Sequence, residues 1–338
     1  MSSKFSRGSA AVAIAVLLLA VSATGQSDKN SQRPKAPPTL ESGAPPATPA
    51  EDGDRPGGFR IGVKVDQVIL NATVHDKEGR LVTGLTKDRF TIFEDKTQQA
   101  ITNFSLVDMP STIGLIVDTS GSMKNRVDDM LSAVNLFLES SNKDNELFLI
   151  TFNDEVKLEE DLTKDVLDIK DGLNNIIVSG GTALYDAIHL GIDKAKAGSE
   201  PKKALVVFSD GEDRDSYYSH ENLAEKIKET DVQVYIVTFL DASLDKSGGF
   251  FGARKSERQK VVEKMDVIAE LTGGKSFLAE TPESLPAAFK AIAHELRNQY
   301  RIAYISNNLV KDGKWRDIRV ALNDPKLKIR AKRGYYAK

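Results

Sequence analysis

Apolar runs and helical patterns alternate through the middle of the chain. Residues 113–117 are apolar without alternation, as in a strand buried on both faces of a parallel sheet, and from Met123 apolar residues recur at helical spacing. The same succession of strands and helices continues to about residue 299, so we predict a doubly wound α/β sheet for residues 110–299. Further strands are predicted at 147–152, 156–158, 205–209, 232–239 and 276–278. Helices are predicted at 166–177, 182–197, 221–230, 260–271 and 283 to about 299.

Strand-type alternation flanks this region on both sides. The N-terminal flank predicts strands near 61–65, 68–74, 90–93 and 101–107, and the C-terminal flank predicts strands at 300–305, 315–322 and 327–332. About 50 residues on the N-terminal side are too few for an independent core. We therefore expect residues 59–109 and 300–338 to form one small accessory β-sandwich, with the α/β domain inserted between them. Two separate small β units are the alternative.

The first 58 residues have a different composition. Lys4 and Arg7 precede an apolar run from Ala10 to Val21, and small residues follow before Gln26, which predicts a cleavable signal peptide over residues 1–25. Residues 26–58 are rich in Pro, Ser, Ala and charge, as in an extended, disordered linker. The protein is then periplasmic or secreted, and the mature chain has no membrane span. An uncleaved membrane anchor is the alternative interpretation of residues 1–25.

Composition excludes several functional classes. The 338 residues carry a formal charge of −3, and loss of Lys4 and Arg7 with the signal peptide leaves −5. That mild acidity argues against nucleic acid as a partner. The chain has no Cys, which excludes disulfides, thiol nucleophiles, zinc–thiolate sites and lipid attachment to cysteine.

Oxygen-bearing side chains follow the first buried strand. Asp118, Ser120 and Ser122 stand at two-residue spacing just beyond its carboxyl end, where open α/β sheets hold ligands. Carboxylate and hydroxyl oxygens are hard donors, and no Cys or His accompanies them. A metal held here would be Mg²⁺, Ca²⁺ or Mn²⁺ rather than zinc. By itself the pattern is weak evidence for a metal, because Ser and Asp at the start of a helix usually only cap it.

Two later segments add to this pattern. Thr182 follows a Gly-Gly turn that opens a helix, and Asp210 ends another buried apolar strand. Oxygens delivered in this order resemble the metal-ion-dependent adhesion site of von Willebrand factor A (VWA) domains. The resemblance covers about residues 110–298 and implies a Rossmann-like fold.

The resemblance also implies roles for these five residues. Ser120, Ser122 and often Thr182 would bind the ion directly, whereas Asp118 and Asp210 would act through water. An ion held mainly by neutral oxygens stays electron-poor, so it would favour an Asp or Glu side chain of a protein partner as its last ligand. The flanks, 84–95 and 330–336, resemble an exported bacterial family of VWA proteins best represented in acidobacteria. Lys96 departs from that family, whose members usually have Gly at this turn.

Two loops on the predicted metal face are candidates for partner contact. Aromatic and arginine side chains are favoured at interfaces, and the loops at 211–218 and 241–254 supply five of them. The candidates are Tyr217, Tyr218, Phe250, Phe251 and Arg254. Glu212, Asp213 and Asp215 are interpreted as solvated loop charges, with a second cation site as the alternative.

These features predict a binding module rather than an enzyme. A hydrolase would need a general base aimed at a metal-bound water, and none of the four His residues has a motif around it. We expect an exported, cation-dependent protein-binding or adhesion module. The alternative is an envelope assembly scaffold whose A domain binds partners without the metal.

Overall fold

The computed structural model describes residues 66–240 and 256–338. The predicted signal peptide, the linker and the strand predicted near 61–65 lie outside the described residues. Within them, no helix is long and apolar enough to cross a membrane.

The chain between 111 and 299 contains six strands and six α-helices in the described part. The strands are β5 (Ser111–Asp118), β6 (Glu146–Phe152), β7 (Val156–Thr163), β8 (Lys202–Ser209), β9 (Gln233–Phe239) and β10 (Ser276–Ala279). The helices are α1 (Val127–Ser140), α2 (Val166–Asn174), α3 (Leu184–Ala197), α4 (His220–Lys228), α5 (Glu257–Leu271) and α6 (Leu285–Arg297).

The six strands form one sheet in the order β10-β9-β8-β5-β6-β7. Its strands are parallel except for β7, which pairs antiparallel with β6 at one edge. Helices cover both faces: α1, α2 and α6 pack on one core, and α3, α4 and α5 pack on the other. The central strand β5 supplies Leu115 to the first core and Ile116 to the second. The structure therefore confirms the predicted doubly wound α/β fold.

The flanking segments together form two four-stranded sheets. The N-terminal flank contributes β1 (Gln67–His75), β2 (Phe90–Glu94), β3 (Thr97–Gln99) and β4 (Ile101–Leu106). The C-terminal flank contributes β11 (Tyr300–Ile305), β12 (Trp315–Leu322), β13 (Lys328–Arg330) and β14 (Gly334–Tyr336). The sheet orders are β13-β1-β11-β4 and β14-β12-β2-β3, and both sheets enclose one apolar core. The accessory β-sandwich is thus present, and each of its two sheets contains strands from both flanks.

The α/β domain is inserted between β4 and β11, which are adjacent strands of the sandwich. Strand β4 leads into the domain and β11 leaves it, and the two pair antiparallel with Leu106 opposite Tyr300. The two ends of the domain therefore lie side by side. A domain whose ends are adjacent can interrupt a sandwich without breaking its core.

Several element bounds differ from those predicted. Strand β7 extends to Thr163 rather than 158, since an edge strand with one exposed face does not need the alternation that marks the others. Helix α2 ends at Asn174, three residues before the predicted end. The short strand β3 was not predicted as a separate strand, because its residues are polar and two of them are exposed.

A buried carboxylate joins the inserted domain to the sandwich. Glu295 of α6 is 4% exposed, accepts a 3.0 Å hydrogen bond from His75 Nε2 of β1, and pairs with Arg330 of β13. One turn further on, Gln299 donates to Thr73 of β1 and to the Tyr235 hydroxyl of β9. Burial raises the pKa of Glu295, but the His75 hydrogen bond and the Arg330 charge outweigh it, and the pKa is lowered.

The hairpin between β2 and β3 predicts a stabilising substitution. Asp95 and Lys96 form its two-residue loop with φ of 45° and 69°, the type I′ geometry that favours Gly at the second position. Lys96→Gly should raise the free energy of unfolding by about 1 kcal/mol, because a left-handed conformation costs L-residues about that much. Denaturant unfolding measures the change. Gly79→Ala, at φ 81° in another turn, is the control and should change stability in the opposite direction. A loss of stability in Lys96→Gly would contradict the assignment.

The Glu295 pair predicts a dependence on pH. A carboxylate whose pKa is lower in the folded state contributes stability above its unfolded value, about 4.3, and this contribution is lost as pH falls through the folded value. Glu295→Gln should lower the free energy of unfolding by about 3 kcal/mol at pH 7, since it leaves Arg330 without its partner charge. It should also reduce the further loss between pH 5 and pH 3. Glu257→Gln, an exposed residue of α5, should change stability by less than about 0.5 kcal/mol. Equal effects of the two substitutions on the free energy of unfolding would show that the Glu295–Arg330 pair does not stabilise the fold.

Candidate metal centre

Two adjacent parallel strands end in carboxylates at the same edge of the sheet. Strands β5 and β8 pair with Val117 opposite Phe208, so Asp118 and the Ser209–Asp210 pair lie side by side beyond that point. Asp118 is fully buried and Asp210 is 5% exposed. The Ser209 hydroxyl donates to Asp118 Oδ2 at 2.6 Å and accepts from the Gly211 amide at 3.0 Å. Ser209 thus fixes the position of Asp118, a role that we did not predict.

The turn after β5 places two hydroxyls together. The Ser120 amide donates to Asp118 Oδ1 at 2.9 Å, and Ser122 lies in a short 3₁₀ turn at Gly121–Met123. The Ser120 and Ser122 Oγ atoms are 3.0 Å apart. Neighbouring oxygens around octahedral Mg²⁺, with ligand distances near 2.1 Å, would lie about 3 Å apart. The hydroxyl pair therefore fits two adjacent positions of one Mg²⁺ ion.

Backbone hydrogen bonds bring the Thr182 loop to this turn. The Gly121 amide donates to Gly180 O at 3.1 Å, and the Ser179 amide donates to Thr119 O at 2.9 Å. Gly180 has φ of 77°, and a Cβ there would lie 1.9 Å from Asp154 Oδ1. The loop therefore needs glycine to approach so closely. Thr182 itself is 4% exposed.

The acidic loop after Asp210 is packed rather than solvated. Asp215 Oδ2 accepts from the Thr182 amide at 2.8 Å, and Asp213 Oδ1 accepts from the Tyr185 amide at 3.1 Å and from Ser216 Oγ at 2.6 Å. Burial raises the pKa of Asp213. The interpretation of Asp213 and Asp215 as solvated charges was wrong, because the open amides at the start of α3 recruit them as hydrogen-bond acceptors. Sequence gives little signal for this, since both residues stand in an ordinary polar loop.

The packing of the loop at 211–218 shows which of its two predicted contact residues is available to a partner. Tyr217 is 51% exposed, but the Tyr218 ring stacks on His189 with centroids 4.0 Å apart. The amides of both tyrosines donate to buried Asp186, at 2.8 and 2.9 Å. Tyr217 is therefore available on the surface, whereas Tyr218 helps to hold the loop on α3. The predicted contacts Phe250, Phe251 and Arg254 lie outside the described residues.

The electrostatics of the site favour a cation. Burial raises the pKa of Asp118 to about 6, against the hydrogen bonds from Ser120 and Ser209 that lower it, and nearby Asp210 raises it further. Among the described residues, Asp118 is hydrogen-bonded to Ser120 and Ser209 and forms no ion pair with a Lys, Arg or His. A buried carboxylate without a positive partner is costly, and a bound metal ion would remove that cost.

Asp118, Ser120 and Ser122 are thus held together at the carboxyl edge of the sheet, with the charge of Asp210 near Asp118 and the Thr182 loop hydrogen-bonded to the same turn. Residues 113–212 match the family model of the von Willebrand factor type A domain. The chain contains a VWA domain, and such domains are typically interaction modules. The strands and helices after 212 continue the same sheet. A comparison with curated protein sequences gave no match.

Solved structures similar to this chain include several bacterial proteins. BatB from Bacteroides thetaiotaomicron is 18% identical with a TM-score of 0.44, over 55% of this chain and 97% of that chain. A von Willebrand factor type A protein from Catenulispora acidiphila is 13% identical with a TM-score of 0.45, over 83% of this chain and 65% of that chain. The vWF domain of the type V pili tip protein Mfa5 from Porphyromonas gingivalis is 12% identical with a TM-score of 0.44, over 56% and 95%.

The Thr182 loop predicts a contrast between two glycines. A Cβ on Gly181 would lie 1.9 Å from Asp215 Oδ2, whereas a Cβ on Gly121 would meet only Gly180 O at 3.5 Å. Gly181→Ala should displace Asp215 from the Thr182 amide and lower the free energy of unfolding by about 1–3 kcal/mol. Gly121→Ala should cost clearly less. Chemical unfolding of both variants measures the difference. Equal stabilities would show that Asp215 does not fix this loop.

Proposed function

We propose that the chain is an exported, divalent-cation-dependent protein-binding or adhesion module that recognises an acidic side chain of its partner. The observation that carries the proposal is the close approach of the Ser120 and Ser122 hydroxyls, at 3.0 Å, beside the buried carboxylates Asp118 and Asp210. VWA domains generally mediate protein–protein interaction, which agrees with this class of function.

Ser120, Ser122 and Thr182 are proposed to hold the cation directly, with Asp118 and Asp210 acting through water. Both Asp118 oxygens already accept hydrogen bonds from Ser120 and Ser209, which supports an indirect role for this carboxylate. Mg²⁺ suits the hard oxygen donors best, and Ca²⁺ or Mn²⁺ could replace it. When bound, the ion supplies Lewis acidity toward an incoming oxygen ligand.

Recognition of an acidic side chain follows from the charge of the direct ligands. Three neutral hydroxyls leave the ion's positive charge largely uncompensated, so an anionic oxygen is the preferred additional ligand. Ser122 is exposed, and a partner's carboxylate could reach the ion from that side. Exposed Tyr217 would contact the partner beside the ion. The site is proposed to bind and not to catalyse.

The proposed location is the periplasm or the cell exterior. It rests on the apolar run and small residues of the predicted signal peptide at 1–25 and on the linker at 26–58. The absence of Cys is compatible with export, because the described domains have three apolar cores that do not need disulfides.

Thermal unfolding with and without cations tests the proposal. Millimolar Mg²⁺, Ca²⁺ or Mn²⁺ is added to chelator-treated protein. A site occupied at a hundred times its dissociation constant should add about 2.7 kcal/mol to the free energy of unfolding. Ser122→Ala should abolish most of this gain without changing the stability of the metal-free protein, since Ser122 is exposed.

Ser132→Ala is the matched control, since Ser132 is an exposed serine of α1 away from the site. It should keep the full response to the cation. The binding claim is then tested by pull-down from an envelope extract in Mg²⁺ and in chelator. Partners that bind equally in chelator would favour the scaffold function, and no thermal response to any cation would refute the proposed metal dependence.

A further inference from the structure

An apolar cavity of about 510 Å³ opens on the side of the β-sandwich. Residues 66–70 line one side of it and residues 335–338 line another, and Ile318, Leu309 and Val310 contribute to its apolar surface. Four consecutive residues of β1, residues 67–70, line it, although alternate residues of a strand point to opposite faces. The cavity therefore runs along the edge of β1 and not against one of its faces. We call it the edge cavity.

Within the part of the chain that the structure describes, most of one edge of β1 is unpaired because β13 is short. Strand β13 pairs with β1 only at residues 73–75. After Arg330 the chain crosses to the other sheet, where Arg333 O accepts from the Ile318 amide at 2.7 Å. Residues 67–72 pair with β11 on one side, and within the described residues no strand pairs with their other side. Six residues give an open edge about 20 Å long.

This edge carries exposed apolar side chains together with charged ones, which include Lys311 and Lys332. Ile69 is 40% exposed, and Leu309 and Val310, in the loop after β11, are 76% and 61% exposed. Proteins normally blunt such an edge with charges, proline or a covering segment, because unpaired strand backbone recruits another strand. Added strands are held by backbone hydrogen bonds, and pockets for alternate side chains give specificity.

We propose that a second copy of this chain covers the edge, by adding its residues 61–65 as a strand along residues 68–72 of β1. These residues precede the described part of the chain, which begins at Asp66, itself part of the cavity lining. They carry Ile61, Val63 and Val65 in strand-type alternation. The open edge and the apolar segment also match in length.

Turn chemistry disfavours the same segment folding back on its own β1. Gln67 already pairs with Ile305 in the sheet, so the reversal would fall at Val65–Asp66. Two-residue hairpin loops need a positive φ at their first residue, which is unfavourable for β-branched valine. The segment of a second copy needs no turn. Exchange of the same segment in both directions closes a two-fold dimer.

The apolar pattern also limits the register. Leu70 and Ala72 of β1 point into the sandwich core, and directly opposite residues of antiparallel strands share a face. With residues 61–65 paired antiparallel along residues 68–72, Val63 lies opposite Leu70 and its side chain enters the cavity. In this register Lys64 of one copy lies opposite Ile69 of the other, on the outer face.

Disulfide trapping tests both the partner and the register. The chain has no Cys, so Lys64→Cys/Ile69→Cys introduces the only thiols. Under mild oxidation the purified double variant should form a covalent dimer in high yield on non-reducing gels, since opposite residues come within reach of a disulfide. Each single variant should form no covalent dimer under the same conditions and should run as a single chain on the gel. A disulfide within one chain would show that the chain's own segment occupies the edge and would overturn the proposal, as would the absence of any disulfide.

Sedimentation of the cysteine-free protein gives an independent measurement. The unmodified chain should be a dimer at micromolar concentration, and Val63→Asp should weaken the dimer at least tenfold. Ile177→Asp, at a 79% exposed position before the Gly180 turn, is the matched control and should leave the dimer intact. Circular dichroism melts of both variants check folding. A monomeric unmodified chain, or equal dimers in both variants, would refute the exchange.

Discussion

The parallel pairing of β5 with β8 is the constraint on which the candidate site depends. Parallel strands end at a common edge, so the residues that follow them meet without any long-range guidance. Asp118 is the last residue of β5 and Asp210 follows the last residue of β8, and Ser209, which lies beside Asp118, donates a hydrogen bond to it. The Thr182 loop is then drawn in by backbone hydrogen bonds between Gly121 and Gly180. The result is a group of oxygens held by the fold before any ligand arrives.

Strand pairing and a buried ion pair also join the sandwich to the α/β domain. Strands β4 and β11 carry the chain into and out of the inserted domain, and they are neighbours in one sheet. The last helix of the domain, α6, is then fixed to the sandwich through Glu295, which reaches both β1 and β13. Motion of α6 would require this buried pair to break. If two copies exchange strands at the edge cavity, each dimer would also carry two metal faces, and binding to a repetitive partner would gain from effective concentration.

Much of the fold could be predicted because its signals are strong and local. Fully apolar strands such as β5 and β8, and helices with clear periodicity, left little choice for residues 110–299. The pairing of residues 59–109 with 300–338 was predictable because neither flank can bury a core alone. Edge elements such as β7 and β3 were predicted poorly, since exposed strands need no regular pattern. The places of the five candidate residues in the fold were predictable, because strand ends and a Gly-Gly turn mark them.

The finer features of the site depend on contacts that sequence does not reveal. Ser209 looked like an ordinary strand residue, and Asp213 and Asp215 looked like loop charges, yet they hold Asp118 and the Thr182 loop. Such roles arise only when distant backbone amides come within hydrogen-bond reach. Tyr218 was chosen for its aromatic ring, but stacking on His189 uses that ring inside the domain.

Titration of the protein with Mn²⁺, followed by water-proton relaxation and electron paramagnetic resonance, tests the central claim most directly. It counts bound ions and detects whether the ion keeps exchangeable water, which a partner's carboxylate would replace. We expect one Mn²⁺ per chain with exchangeable water, competed by Mg²⁺ and lost in Asp118→Asn, a substitution of nearly the same shape. No bound Mn²⁺, or binding unchanged in Asp118→Asn, would contradict the account of this site.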